Sequence, residues 1–225
     1  MARFKRLEVL NTMVGIGLVP VFFNKDLAKA KKIVEAVRRG GCRIIEFTNR
    51  GDHAFEIFSL LEVFCSKEFP DMIVGTGSVV DAPTAGMYIN CGSNFIVGPV
   101  LNPEVARICN RRKVAYSPGC GSASEIGAAE ELGCEIIKIF PGDSVGGPSF
   151  VKSILGPCPW TSLMPTGGAK ATEDSLKSWF SAGVVCVGIG SDLITKELVG
   201  SENWLGLAEK VAETLSIIKK LRGKQ

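Results

Sequence analysis

A lysine stands inside an otherwise apolar stretch, CEIIKIFPG, at residues 134–142. Five of the six residues from Ile136 to Pro141 are apolar and three of them are isoleucines, which predicts an inner strand of a parallel sheet that is covered on both faces. Removing an ammonium group from water costs free energy unless the group is paired or loses its proton. Lys138 is therefore expected either to extend to solvent or to be retained for chemistry.

A carboxylate, Glu46, occupies a similar place in the predicted strand 43–47. If both side chains point inward, the amine of Lys138 and this carboxylate share one enclosed cavity. An apolar environment lowers the pKa of a lysine, and the neutral amine that results can attack a carbonyl carbon, whereas a nearby carboxylate opposes that shift. Glu46 is suited to transfer protons as an imine forms and collapses. The residues alone leave a buried Lys–Glu ion pair, or a lysine that reaches solvent, as alternatives.

Strand-like and helix-like segments alternate along the chain, which has no linker or change of composition. Eight such units in about 200 residues favour a closed (β/α)8 barrel, a fold of the α/β class, over an open doubly wound sheet. The open sheet stays as the alternative. We expect one domain, residues 1–225, with an extra N-terminal helix and a C-terminal helix. The predicted strands are 16–22, 43–47, 72–76, 95–97, 114–116, 136–140, 162–164 and 184–188; the main helical segments are 2–11, 26–39, 54–67, 102–110, 122–132, 148–155, 173–182 and 204–221.

Two glycine pairs follow the last two predicted strands, in Pro165-Thr166-Gly167-Gly168 and in Gly188-Ile189-Gly190-Ser191. Functional groups of such barrels gather at the carboxyl ends of the strands, and the seventh and eighth loops frequently bind phosphate through backbone N–H groups. Each pair alone also suits an ordinary turn. Together they favour a phosphorylated ligand.

Composition excludes several classes of protein. The net charge of +3 comes from 26 basic and 23 acidic residues spread along the chain, which does not predict a nucleic-acid surface. The longest apolar run, residues 13–23, is too short for a membrane span and contains Pro20, and the first ten residues do not resemble a secretory leader, so a cytoplasmic location is expected. Eight cysteines are spread singly and His53 is the single histidine, a pattern that predicts no metal site.

The ordered set of motifs resembles the 2-keto-3-deoxy-6-phosphogluconate and 4-hydroxy-2-oxoglutarate aldolase family. The resemblance implies a class I, Schiff-base lyase on a (β/α)8 barrel, a homotrimer that needs no metal or cofactor and releases pyruvate and an aldehyde from a 2-keto-3-deoxy sugar acid. The motifs that carry it are Glu46-Phe47-Thr48-Asn49-Arg50, Gly75-Thr76-Gly77-Ser78, Gly98-Pro99, Ser117-Pro118-Gly119, Lys138-Ile139-Phe140-Pro141, Gly156-Pro157 and the two glycine loops above.

The resemblance also implies a role for each matching residue. Lys138 would form the imine, Glu46 would be the general acid and base, and Arg50 would bind the pyruvate carboxylate with Ser78 nearby. The remaining residues would line the pocket or meet the phosphate: Pro99, Phe140, Thr166, Gly167, Gly168, Gly190 and Ser191.

One residue departs from the family pattern. Asp192 follows the serine of the eighth loop, where many members have an aromatic residue. Its carboxylate would either compete with a phosphate for a helix N-terminus or serve as the N-cap of the last helix, and we expect the N-cap. Whether the substrate is phosphorylated stays open. The alternative functions are cleavage of 4-hydroxy-2-oxoglutarate or 2-keto-3-deoxy-6-phosphogalactonate, a metal-dependent lyase or isomerase, and a non-catalytic phosphosugar-binding barrel.

Overall fold

The computed structural model describes residues 2–223, which form ten helices and nine strands in an α/β arrangement. Their bounds, in chain order, are α1 Arg6–Ile16, β1 Leu18–Phe22, α2 Leu27–Arg39, β2 Ile44–Thr48, α3 Ala54–Glu68, β3 Ile73–Gly77, α4 Ala82–Asn90, β4 Phe95–Val97, α5 Pro103–Arg112, β5 Ala115–Ser117, β6 Gly119–Cys120, α6 Ala123–Glu131, β7 Ile136–Ile139, α7 Gly147–Leu155, β8 Ser162–Pro165, α8 Glu173–Ser181, β9 Val187–Ile189, α9 Lys196–Gly200 and α10 Trp204–Arg222.

The helix α2 illustrates how local sequence sets these elements. Asp26 is its N-cap, and the carboxylate accepts hydrogen bonds from the backbone N–H groups of Ala28 and Lys29. Ile33 and Val37 lie on the buried stripe, whereas the charged Glu35 between them faces outward. The helix ends before a pair of glycines, the second of which has a left-handed φ of 95° that suits a residue without a side chain.

All strand pairs are parallel, and the curled sheet is recorded in two parts. The larger part has the order β5-β4-β3-β2-β1-β9 and the smaller part has the order β6-β7-β8. Pro118 separates β5 from β6, and its carbonyl accepts the N–H of Lys138 at 3.0 Å. At the other junction, Thr166 bridges to Gly188 and the N–H of Val185 donates to the carbonyl of Leu163 at 3.0 Å.

The core is apolar on both faces of the sheet. Every residue of β1, β2 and β3 is buried, which agrees with strands that are covered by helices on one side and by other strands on the other. An aromatic cluster packs around β2, where the Phe47 and Phe58 rings lie 5.9 Å apart and the Phe58 and Tyr88 rings lie 5.1 Å apart in an edge-to-face arrangement. Six of the eight cysteines are buried as free thiols, and burial raises the pKa of Cys42 to about 12.

The N-terminal segment is fastened to the amino-terminal side of the sheet by Arg3. Its guanidinium donates to the carbonyls of Pro70 and Met72, which precede β3, and forms a 2.8 Å ion pair with the nearly buried Glu62. These contacts hold the start of the described chain against the amino-terminal side of β3. None of the helices in the described part of the chain is both long and apolar enough to cross a membrane.

The predicted elements are confirmed with a few differences. All eight predicted strands are present, and the fifth is followed after Pro118 by an additional two-residue strand, β6. The first begins at Leu18, because Ile16 ends α1 instead, and the eighth begins at Val187, three residues later than predicted. The N-terminal helix starts four residues later than predicted, at Arg6. Helix α4 was not predicted, since its sequence, APTAGMYIN, contains proline and glycine; the N-cap Asp81 and the proline in its first turn explain why it forms.

Gly40 provides a test of how tightly α10 packs on α2. A Cβ atom at this position would lie 2.6 Å from the carbonyl oxygen of Ala208 and 2.7 Å from the Cβ of Val211. We expect Gly40→Ala to lower the free energy of unfolding by about 1–3 kcal/mol, because the added methyl group overpacks this contact. Urea unfolding followed by circular dichroism measures the change.

The matched control is Gly127→Ala in the exposed interior of α6, where an added Cβ meets no atom within 4 Å. This change should raise the free energy of unfolding by about 0.5–1 kcal/mol, because alanine is the better helix former. Equal stability of the two variants would show that the contact between Gly40 and α10 is loose.

Candidate active site

Lys138 lies in the middle of β7, where its backbone pairs with Gly119 on one side and Met164 on the other. The residue is only 5% exposed. Its Nζ atom lies 4.5 Å from the centroid of the Phe140 ring, a cation–π distance. Within residues 2–223, Lys138 takes part in no ion pair. The lysine therefore neither reaches solvent nor forms the Lys–Glu ion pair that the sequence left open.

Glu46 lies in β2 and is 1% exposed, so its carboxyl group is also removed from water. Its Oε2 atom is buried without a hydrogen-bond partner. The strand β3 makes room for the carboxyl group through Gly77, because a Cβ there would lie 1.7 Å from Oε1. A buried carboxyl oxygen without a partner is costly, which makes it a candidate group for chemistry.

Burial shifts the pKa values of Lys138 and Glu46 in opposite directions. Burial is the main cause at both sites: it lowers the pKa of the Lys138 amine and raises the pKa of the Glu46 carboxyl. Attraction between the two groups opposes both shifts but is the smaller effect, and Arg50 lowers both pKa values. Burial therefore shifts both groups toward their neutral forms, and the neutral form is the one that a nucleophilic lysine needs.

Arg50 stands two residues beyond the end of β2 and is exposed. The preceding residue, Asn49, donates its N–H to the carbonyl of Gly77 and accepts a 2.8 Å hydrogen bond from the hydroxyl of Tyr88. These bonds hold the backbone that carries Arg50. Its guanidinium takes part in no ion pair within residues 2–223 and is available to a ligand carboxylate.

A cavity of about 970 Å³ opens where several strands end. Seven of the predicted site residues line it: Arg50, Phe140, Thr166, Gly167, Gly168, Gly190 and Ser191. Glu46 and Lys138 do not line the cavity. Two residues that do line it are near them: the ring of Phe140 lies 4.5 Å from the Nζ atom of Lys138, and the charge of Arg50 lowers the pKa values of both groups. Ser78 and Pro99 do not line the cavity; both are half-buried beside it, and Ser78 has a left-handed φ of 60°.

The backbone conformation after β8 explains why residues 167 and 168 are glycines. Gly167 and Gly168 adopt left-handed φ values of 79° and 102°, and a Cβ at Gly168 would lie 2.1 Å from the carboxyl carbon of Asp143. Beside them, the hydroxyl of Thr166 is buried without a hydrogen-bond partner. This hydroxyl faces Gly188, where an added Cβ would lie 2.4 Å from it.

The expected N-cap role of Asp192 is wrong. The N-caps of α9 and α10 are Thr195 and Asn203. The Asp192 carboxylate instead accepts a 2.6 Å hydrogen bond from the N–H of Ala171, which joins the loop after β9 to the loop after β8. A carboxylate interacts more strongly with a free backbone N–H group within hydrogen-bond distance than with a distant helix N-terminus. The turn that starts at Gly190 places the Asp192 carboxylate opposite such a group, the N–H of Ala171.

Sequence reasoning missed several residues on the wall. Four lysines line the cavity, namely Lys25, Lys29, Lys170 and Lys196. The sequence could have indicated Lys25 and Lys170 as site residues, because both follow predicted strands and therefore lie at the same edge of the sheet as the other site residues.

Comparison with known proteins identifies the family. A family model described as KDPG and KHG aldolase matches residues 9–210. The chain belongs to this aldolase family. Aldolases are lyases, and the site described above lies within the matched residues.

Individual relatives agree with the family assignment. A 2-dehydro-3-deoxy-phosphogluconate aldolase of Pseudomonas aeruginosa is 30% identical over 88% of this chain and 87% of that protein. The protein of that name from Haemophilus influenzae is 26% identical over 94% of this chain and 97% of that protein. The KDPG aldolase of Legionella pneumophila, solved with pyruvate as a covalent carbinolamine intermediate, superposes with a TM-score of 0.82 at 27% identity, covering 90% of this chain and 96% of that one.

Within residues 2–223, no three side chains of histidine, cysteine, aspartate or glutamate are grouped so that they could hold a metal ion.

The lowered pKa of Lys138 predicts how the reaction of this family aldolase with pyruvate depends on pH. Only the neutral amine adds to the carbonyl, so the rate of adduct formation should fall as the pH decreases through the pKa of Lys138. Because burial lowers this pKa, the midpoint should lie below the usual value of about 10.4 for lysine. The initial rate of adduct formation with cyanoborohydride, followed by mass spectrometry across pH, measures the midpoint; a midpoint at or above the usual value would contradict the burial argument.

Proposed function

We propose that this chain is a class I aldolase that cleaves a 2-keto-3-deoxy sugar acid to pyruvate and an aldehyde. The observation that carries the proposal is a buried Lys138 without an ion pair, close enough to the buried Glu46 and to Arg50, which lines the cavity, for both to shift its pKa. The names of the relatives favour 2-keto-3-deoxy-6-phosphogluconate, which gives pyruvate and glyceraldehyde 3-phosphate. 4-Hydroxy-2-oxoglutarate and 2-keto-3-deoxy-6-phosphogalactonate are the related substrates to compare with it.

The first half of the reaction uses both groups in their neutral forms. The Nζ atom of Lys138 adds to the C2 carbonyl carbon and gives a carbinolamine. Glu46, held in its acid form by burial, gives a proton to the C2 oxygen, which leaves as water and produces a protonated imine. The carboxylate of Glu46 that remains is then stabilised by the imine charge beside it.

The second half reverses the proton transfer. The Glu46 carboxylate accepts the proton of the C4 hydroxyl while the electrons of the C3–C4 bond move toward the imine nitrogen. The aldehyde leaves, and an enamine remains on Lys138. Glu46 returns the proton to C3 and becomes a carboxylate again. Water then adds to the protonated imine, the Glu46 carboxylate accepts the proton that is released, and pyruvate, the free amine and the acid form of Glu46 result. One carboxyl group therefore serves alternately as acid and base, and ends in the form in which it began.

The other residues would bind the two ends of the substrate. Arg50 binds the pyruvate carboxylate through its forked guanidinium, and Ser78 assists at the edge of that site. Pro99 and Phe140 are proposed to confine the reacting carbons. Thr166, Gly167, Gly168, Gly190 and Ser191 lie farther along the cavity and are proposed to meet the distal end of the substrate.

We infer that the two parts of the sheet belong to one closed (β/α)8 barrel. The continuous chain through Pro118 and the bridge between Thr166 and Gly188 support this inference, because they join the parts at both junctions. A single domain over residues 1–225, a homotrimer and a cytoplasmic location stay predictions. Exposed apolar side chains that an assembly would cover include Val80, Met87 and Val100, which come from neighbouring elements.

Borohydride trapping tests the proposed chemistry directly. Incubation with pyruvate and borohydride should add a stable mass to the peptide that contains Lys138, and Lys138→Ala should abolish both this adduct and pyruvate release from the substrates above. Activity should be unchanged by EDTA. If no adduct forms and EDTA removes an activity that added metal restores, the protein is a metal-dependent lyase or isomerase instead.

The proton-transfer role predicts the effect of Glu46→Gln. Turnover should fall by about 10²–10⁴-fold, because the amide cannot exchange protons, while inhibition by pyruvate stays nearly unchanged. The measurement is steady-state pyruvate release with a coupled dehydrogenase. Glu35→Gln, on the exposed face of α2, is the matched control and should retain the parent rate.

A second variant moves the same carboxyl group without removing it. Gly77→Ala places a methyl group against Oε1 of Glu46 and should lower turnover about 10²-fold through misplacement. Parent-like turnover in both Glu46→Gln and Gly77→Ala would remove Glu46 from the mechanism.

A further inference from the structure

Asn49, the residue immediately before Arg50, is held by hydrogen bonds from two different elements. Its backbone N–H donates to the carbonyl of Gly77 at 2.8 Å, which continues the pairing of β2 with β3 by one residue. Its side-chain Oδ1 atom accepts a 2.8 Å hydrogen bond from the hydroxyl of Tyr88, which lies in α4. The two bonds together fix both the position of Asn49 and its rotation about the strand axis.

The chain on the other side of Arg50 is held much less. Gly51 has a left-handed φ of 83°, and an added Cβ there would meet one atom, 4.0 Å away. The next two residues, Asp52 and His53, are exposed. The position of Arg50 therefore depends on the hydrogen bonds that hold Asn49.

Tyr88 is a rigidly placed hydrogen-bond donor. Its side chain is buried and packs edge to face against the rings of Phe55 and Phe58 in α3, at centroid distances of 5.8 and 5.1 Å. Burial raises the pKa of Tyr88 to about 12, so the hydroxyl keeps its proton at all lower pH values. The aromatic contacts fix the direction of the hydroxyl, and the bond to Asn49 satisfies it.

The position of Arg50 affects the site in two ways. Arg50 lines the cavity, and its guanidinium is proposed to bind the substrate carboxylate through a planar contact that depends on orientation. Its charge also lowers the pKa values of Lys138 and Glu46, so Arg50 lies close enough to act on both groups. A displacement of Arg50 would therefore change carboxylate binding and the ionisation of the amine together.

We propose that Tyr88 is a positioning residue that, through Asn49, holds Arg50 where its guanidinium can bind the carboxylate of a 2-keto acid. This inference rests on the proposed function, since it assigns a support to the arginine of that site. Tyr88 does not line the cavity, so its effect on the reaction passes through Asn49 and Arg50.

Tyr88→Phe removes the hydroxyl and keeps the ring. The inhibition constant of pyruvate against cleavage of 2-keto-3-deoxy-6-phosphogluconate should rise about three- to ten-fold, which is the effect of one lost hydrogen bond. The value of kcat, measured at the pH optimum of each protein, should stay within two-fold, because the groups that transfer protons are unchanged. Asn49→Ala removes the acceptor of the same bond and should give the same result.

The pH profile is a readout that lost packing alone would not change. Burial lowers the pKa of Lys138 most, Glu46 raises it, and Arg50 lowers it. A weaker influence of Arg50 would raise this pKa. The midpoint for the rate of adduct formation with pyruvate should therefore move to higher pH in Tyr88→Phe.

A double-mutant cycle tests the route from Tyr88 to the site. When Arg50→Ala is already present, Tyr88→Phe should change the inhibition constant of pyruvate by less than two-fold. It should also leave the pH midpoint where Arg50→Ala alone places it. The reason is that no guanidinium remains to be positioned.

Ser93→Ala is the matched control for lost stability. Ser93 is buried before β4, at the amino-terminal side of the sheet, and its hydroxyl donates to the carbonyl of Phe95 at 2.8 Å and lies 3.0 Å from the hydroxyl of Thr76. Like Tyr88→Phe, this variant loses one buried hydroxyl, so both should unfold at a lower urea concentration than the parent. Ser93→Ala should keep the parent values for pyruvate inhibition and for the pH midpoint.

The outcomes separate the two proposals. A parent protein that forms no pyruvate adduct and releases no pyruvate contradicts the proposed function and this inference with it. If the parent is active, three results overturn the positioning role while the aldolase function stands. They are unchanged pyruvate inhibition in Tyr88→Phe, an equal change with and without Arg50, and the same change in Ser93→Ala.

Discussion

The structure depends on placing an amine and a carboxyl group together in a space that water does not fill. Lys138 and Glu46 are charged in water, and the fold removes both from it. Their mutual attraction is weaker than the cost of dehydration, so each group moves toward its neutral form. Such a pair weakens the fold compared with apolar side chains of similar volume. The arrangement is reasonable only where the neutral amine is used.

The unsatisfied hydrogen-bonding groups lie in the same region. Among the buried side-chain oxygen and nitrogen atoms of residues 2–223, two lack a hydrogen-bond partner: Oε2 of Glu46 and Oγ1 of Thr166. Native interiors pair nearly all such groups, so unpaired ones point to a ligand that supplies the partner. Thr166 lines the cavity, and Glu46 lies close enough to Arg50, which also lines it, for the charge of Arg50 to lower its pKa. The fold therefore concentrates its local costs where the chemistry is proposed to occur.

Much of this organisation was predictable from the sequence. The alternating apolar segments predicted the strands. The single lysine and the single glutamate within two of those segments predicted the two central residues, because a buried charge is conspicuous in an apolar pattern. Helix α4 was missed because its propensity is poor and its N-cap and tertiary contacts decide its formation. Asp192 was misassigned because its partner, the N–H of Ala171, is 21 residues away in sequence. The four lysines that line the cavity were missed because exposed lysines form no recognisable sequence pattern. Only the folded chain brings the loops that carry them together.

The pairing of the first and last strands has a consequence for how the protein is made. The backbone of β1 pairs with that of β9, so Leu18 meets Val187 across most of the chain length. Contacts between such distant segments form late and slowly, since a long loop must close first. The ribosome releases β9 and α10 after the other strands described here, and Arg222 of α10 donates to backbone carbonyls near β1 and β9. The cavity lies between the loops that follow β1 and β9. The cavity therefore cannot form in the nascent chain until β9 has been synthesised, and the side chain of Lys138 stays hydrated until then.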